Sequence, residues 1–128
     1  MTEQSETAFD WSVEHSDERS VRRPLRPRDD PFYATPDGLA QLSPGAVIRS
    51  RQVRLGFLGL VAQRGLSAWQ LAYRSADLHG TPEVAVTTVV VPRDHDPAQP
   101  QRLIAYQCAI DAVSDRCFPS YALRPGAR

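Results

Sequence analysis

RLIAYQCAIDAVSDRCFPSYAL, residues 102–123, is the stretch whose reading decides the fold. It opens on Leu103-Ile104-Ala105-Tyr106, a run with the length and the β-branched and aromatic content of a buried strand. At Asp111 the character changes to a polar loop carrying Asp115 and Arg116. The stretch closes on Cys117-Phe118-Pro119-Ser120-Tyr121, where proline followed by serine starts a helix. A buried strand that runs into a loop and then a helix is where α/β enzymes place their chemistry, at the carboxyl end of the strand.

Working upstream, two further strands are strongly marked. Ser67 to Arg74 puts Trp69, Leu71 and Tyr73 on one face by the period-2 rule, and these read as the core face of a hairpin. Val84 to Val91 is β-branched almost throughout. Asp77 to Pro82 is a turn, so the two strands form an antiparallel hairpin. Val47 to Arg54 alternates and reads as a strand, and its arginines place it near a sheet edge. Leu55 to Val61, with two glycines, is compatible with a tight bend or a short helical turn. The expected strands therefore lie near 47–54, 67–74, 84–91 and 102–108.

Residues 1–29 read differently from residues 30–128. The first 29 are polar, with Arg19, Arg22, Arg23, Arg26 and Arg28 interleaved with Pro24 and Pro27. Little apolar surface offsets the ordering entropy there, which predicts a flexible arm. Phe9, Trp11 and Val13 alternate, and the alternative is a short docked strand. The five arginines are a weak match to anionic lipid headgroups. From Asp30-Pro31-Phe32-Tyr33 onward the chain is ordered, turn-rich at first and then β-rich.

Composition bounds the answer. The chain has 128 residues, 15 basic and 15 acidic side chains and no net charge, which argues against a nucleic-acid footprint. Every basic residue is arginine. No run of about 18 apolar residues exists, so no integral membrane segment is expected. The first 20 residues lack a basic and then apolar leader, which points to a cytoplasmic or cell-associated protein. Two cysteines, Cys108 and Cys117, are too few for a disulfide framework.

A sheet as apolar as 84–91 and 103–106 needs covering layers, and the sequence holds no amphipathic helix of about 10 residues or more to provide them. The expectation is the front part of a larger α/β domain. The residues bear this out in a specific way. Asp30-Pro31-Phe32-Tyr33, Pro44-Gly45, Arg49-Ser50-Arg51, Trp69-Gln70-Leu71, Tyr73-Arg74-Ser75, Thr87-Thr88, Tyr106-Gln107, Asp111 and Cys117-Phe118-Pro119-Ser120-Tyr121, in that order, resemble the N-terminal third of the secretory lipase family of α/β-hydrolases, the fungal lipase A-like and actinobacterial enzymes. The similarity spans about residues 29–124.

The resemblance implies an α/β fold, namely the N-terminal portion of a hydrolase sheet (the β-hairpin plus following strands) behind a flexible polar arm. It implies a serine hydrolase acting on carboxylic esters of the triacylglycerol type. It puts an oxyanion-hole donor, the backbone N–H, at Asp111. It matches Cys117 to a cysteine that is disulfide-bonded in secreted relatives and free in a cytosolic setting. No cofactor and no metal are implied, and a downstream complementary chain is a candidate partner.

The nucleophile elbow G-x-S-x-G is absent from the sequence. Gly65-Leu66-Ser67-Ala68-Trp69 lacks the second glycine and leads into a strand, so Ser67 reads as a strand-start serine. Ser120, His95 and Asp111 have the residue types of a triad, but nothing in their spacing brings them together. Asp94-His95-Asp96 reads as a solvated loop, since adjacent residues do not all face one ion. Tyr106, Gln107 and Tyr121 read as packing and bracing residues. The expected protein is a truncated or split hydrolase, inactive alone. The alternative is a small β-rich interaction module or a non-catalytic remnant.

Overall fold

The computed structural model describes residues 14–57, 61–96, 98–100, 102–107 and 113–127. Six strands are present among them: β1 (Glu14–Asp17), β2 (Val47–Val53), β3 (Gly56–Phe57), β4 (Val61–Ala62), β5 (Leu66–Ala76) and β6 (Pro82–Pro92). One short helix, α1 (Pro119–Ala122), follows near the end. The main sheet has the order β1-β2-β5-β6, with β1 parallel to β2 and the other pairs antiparallel.

The β5–β6 hairpin is the longest local unit. Its register runs unbroken from Leu66↔Pro92 to Ala76↔Pro82. The turn is held by Asp77, whose Oδ1 accepts from the backbone N–H of His79 and of Thr81, both at 2.8 Å. Those amides hold the Asp77 carboxyl below the usual carboxylate range. Gly80 supplies the left-handed backbone the turn requires, at φ 83°. Pro82 stands at the first position of β6, where a strand tolerates it.

Two faces of this sheet differ. On β5 the buried side chains are Ala68, Gln70 and Ala72, with Gln70 reaching the segment around α1, while the 3₁₀ turns Pro31–Tyr33 and Leu39–Gln41 and α1 pack against β6. The expected core face, Trp69-Leu71-Tyr73, is the other one: Trp69 and its cross-strand partner Val89 are both exposed. The reason is chemical. Gln70 has polar partners on the covered side, and the small alanines beside it let the covering segments come close.

The strand expected near an edge, β2, is interior, with β1 on one side and β5 on the other. Its arginine load reflects buried ion pairing and not solvent. Residues 55–61, left open between a bend and a helical turn, begin and end on the small β3–β4 ladder, Gly56↔Ala62 and Phe57↔Val61.

Residues 102–107 carry no strand. Leu103, Ile104 and Tyr106 are 95%, 83% and 85% exposed. A run this apolar is a strand only where ladder partners and a covering layer exist, and among the described residues neither reaches it. Tyr106 and Gln107, expected as packing and bracing residues, are exposed, whereas Tyr121 is buried as expected.

The segment set apart as a flexible arm is part of the fold from Glu14 onward. β1 pairs in parallel with β2 from Glu14↔Arg49 to Asp17↔Gln52, and the Glu18 N–H continues the ladder to the Gln52 carbonyl at 2.9 Å. Pro24 and Pro27 are buried. Phe9, Trp11 and Val13 lie outside the described residues.

The C-terminal segment closes over both of these regions. Gly56 N–H donates to the Leu123 carbonyl at 2.7 Å. A Cβ on Gly56 would stand 2.9 Å from Pro125 Cα, and one on Gly126, at φ 79°, would run into the Arg22 carbonyl oxygen. Gly126→Ala is expected to cost about 1–3 kcal/mol, since it combines a left-handed backbone with a backbone clash. Urea unfolding of the variant measures this, and an unchanged midpoint would refute the close approach.

Candidate functional site

The segment around α1 is tied to a cluster built on a buried guanidinium. Arg51 points from β2 into the covered face, and its side chain is fully buried. Its Nη1 donates to Asp30 Oδ2 at 2.7 Å and to Glu18 Oε1 at 3.1 Å, and its Nε donates to Gln70 Oε1 at 2.8 Å. Its carbon centre lies 4.0 Å from the Phe32 ring centroid, a cation–π contact. Asp30 in turn caps the turn Pro31–Tyr33 by accepting from Phe32 N–H at 3.0 Å.

Three routes lead from this cluster to the segment around α1. Gln70 Nε2 donates to the Ser120 carbonyl. Arg124, itself buried, donates to Glu18 Oε2 at 2.8 Å. Tyr33 and Ser120 share a hydrogen bond between their hydroxyls at 2.9 Å. Burial pushes the Tyr33 phenol up from its ordinary value, with the Ser120 hydroxyl opposing. Burial also lowers the Arg124 guanidinium, and the like charge of Arg51 adds to that.

α1 begins as expected on Pro119 at its first position, and Ser114 caps the preceding turn Asp115–Cys117 by accepting from Arg116 N–H. A fourth tie is at the surface. Arg28 grips Asp115 with two side-chain bonds, Nε to Oδ2 at 3.1 Å and Nη2 to Oδ1 at 2.9 Å. The Arg28 guanidinium holds the Asp115 carboxyl well below the usual carboxylate range.

Asp111, the residue to which the resemblance gives an oxyanion role, lies outside the described residues, as does Cys108. What the structure gives is the frame on its carboxyl side. Val113 is fully exposed, and from Ser114 onward the chain is anchored by Arg28, Gln70 and Arg124.

The other candidates are occupied elsewhere. Ser120 is buried and bonded to Tyr33. His95 turns its Nδ1 onto the Pro92 carbonyl at 2.8 Å. Ser67 sits inside β5. Cys117 is exposed and free. Among the described residues no three His, Cys, Asp or Glu side chains converge as a metal site, and no helix is long and apolar enough to cross a membrane.

Two features escaped the sequence reading. The first is the Arg51 cluster, which the aligned arginines of β2 signalled only as charge. The second is a contact between His15 Nδ1 and Ser50 Oγ. Ser50 is nearly fully buried in mid-sheet, which leaves no approach for a substrate carbonyl. Of the five leading arginines, Arg19 is engaged by Asp17 and Arg28 by Asp115, so two of the charges considered for lipid are met within the chain.

No family model matches the chain. It is 52% identical over 114 residues to a probable inactive lipase of Mycobacterium tuberculosis (strain CDC 1551 / Oshkosh), covering 89% of this chain and 25% of that protein. It is 38% identical over 105 residues to lipase 4 of Candida albicans, covering 81% and 22%. A secreted triacylglycerol lipase of Malassezia furfur is 33% identical over 103 residues, covering 80% and 21%. Among solved structures, Candida antarctica lipase A in its closed state superposes with a TM-score of 0.68 at 34% identity, covering 80% of this chain and 23% of that one. The chain spans about a quarter of the length of the curated relatives it matches.

Two predictions follow from the frame. Arg51→Met leaves buried Asp30 without its counter-charge and is expected to cost about 3–5 kcal/mol in urea unfolding; a loss under about 1 kcal/mol would show that the cluster does not hold the fold. Asp115 has a folded pKa depressed below its unfolded value near 3.8. Its contribution is therefore present above that value and fades as the pH falls through the folded pKa. The gap in urea midpoint between wild type and Asp115→Asn should be constant above pH ~5 and shrink below pH ~4. A gap independent of pH would refute the ion pair.

Proposed function

We propose that this chain, a homologue of the lipase A-like lipases whose sheet is the corresponding part of an α/β-hydrolase, supplies the oxyanion-hole loop of a lipase or esterase-type serine hydrolase. The substrates of the assembled enzyme are carboxylic esters of the triacylglycerol type. The backbone N–H of Asp111 is the donor. When a serine oxygen adds to the ester carbonyl, the carbon–oxygen π bond opens and its electron pair moves onto the oxygen, where a fixed N–H stabilises the charge. One such donor is worth about 2.7–4 kcal/mol of barrier.

The serine and the histidine of the reaction come, in this reading, from sequence beyond these 128 residues, in the same polypeptide or a complementary one. The observation that carries the proposal is the exposed run Leu103-Ile104-Tyr106 beside an anchored loop flank. An apolar strand sequence standing in solvent has the character of a surface meant for covering. The relatives, four times longer, are lipases.

A second reading has its own support. The 52% identical relative is a probable inactive lipase, and the same exposed run suits a small β-rich interaction module or a non-catalytic remnant. A relative is named as a secreted lipase, and we read this chain as cytoplasmic or cell-associated.

The purified chain is expected to hydrolyse neither p-nitrophenyl butyrate nor p-nitrophenyl octanoate and to take no label from a fluorophosphonate. Turnover above blank, abolished by the fluorophosphonate, would overturn the assignment of the nucleophile to other sequence. Co-expression with a downstream reading frame that carries G-x-S-x-G separates the two readings. Activity that appears on co-purification and is lost on deletion of Asp111 supports the hydrolase; a stable but inactive complex supports the module.

A further inference from the structure

The chain is neutral overall, yet its charge is segregated. At the end of the sheet where β2 finishes, β3 and β4 lie, and β5 begins, there is a cavity of about 670 Å³. Arg19, Arg54, Arg64 and Arg93 line it, together with apolar side chains that include Leu55 and Leu66, and among the described residues no aspartate or glutamate does. Arg19 is engaged by Asp17. Arg93 donates its Nε to the Leu66 carbonyl at 3.1 Å, which fixes its stem and leaves its Nη atoms for other work. Among the described residues no ion pair joins Arg54, Arg64 or Arg93 to a carboxylate. Elsewhere in this protein arginines that gather do so around acids, as Arg51 and Arg124 do around Glu18 and Asp30.

Arginine forks match the oxygens of a phosphate in paired hydrogen bonds, and several forks around one concavity offer more donors than a single carboxylate accepts. The apolar wall adds a place for hydrocarbon next to the charge. We propose that this cavity binds a phosphate group, borne by an amphiphile whose first methylenes lie against Leu55 and Leu66. It does not rest on the hydrolase reading.

Two probes test this on the full chain, inorganic phosphate and vesicles of phosphatidylglycerol in phosphatidylcholine with pure phosphatidylcholine as control. Guanidinium NMR signals of Arg54, Arg64 and Arg93 should shift saturably with free phosphate, and the chain should float with the anionic vesicles and not with the neutral ones. Arg54→Gln/Arg64→Gln should weaken either response about tenfold or more. Arg102→Gln/Arg116→Gln, which removes the same charge from outside the cavity, should leave it unchanged. Both doubles alter exposed side chains, and their thermal midpoints check that they fold. A response to the anionic vesicles, with or without one to free phosphate, supports the site; a response to phosphate alone identifies a free anion and overturns the amphiphile. No response to either probe, or an equal loss in both doubles, overturns it.

Discussion

One buried cation organises this molecule. Arg51 carries no solvent exposure, and a charge in that position is tolerable only with its counter-charges fixed around it. Asp30 caps a 3₁₀ turn, Glu18 directly follows β1, and Gln70 belongs to the hairpin. Each partner belongs to a different part of the chain, so satisfying one side chain fixes three segments at once. The segment around α1 is then added through the same partners, since Gln70 also serves the Ser120 carbonyl and Glu18 also serves Arg124.

The architecture follows from this economy of polar contacts in place of apolar ones. Among the described residues the buried apolar ones are few and dispersed: Phe32, Leu39, Val53, Ala68, Ala72 and Tyr121. Three guanidinium nitrogens, on Arg51, Arg74 and Arg124, are buried with no partner among the described residues. A core built this way specifies position more than it adds stability. The corresponding segment makes up about a quarter of Candida antarctica lipase A.

How much of this was legible depended on distance along the chain. The β5–β6 hairpin could be read because its strands are β-branched and Asp77 and Gly80 sit between them, all within one local window. The start of α1 at Pro119 is equally local. The interior position of β2 was not legible. Arginine in a strand signals solvent unless its partners are known, and those of Arg51 stand 33 and 21 residues away. β1 was hidden for a related reason: Glu-His-Ser-Asp has no strand propensity and is a strand because the edge of β2 accepts it. The run at 103–106 shows the converse, with strong propensity and no neighbour to realise it. Asp111 was reached through family resemblance alone.

The parallel pairing of β1 with β2 has a kinetic consequence. Between Asp17 and Val47 the chain makes its crossover through irregular turns, with no long helix to shorten the search. Closing that loop costs entropy before any ladder bond returns it. The hairpin, by contrast, closes over a five-residue turn. Loop length therefore favours closing β5–β6 before β1 joins β2. On a ribosome, β1 waits, unpaired, until β2 has been made.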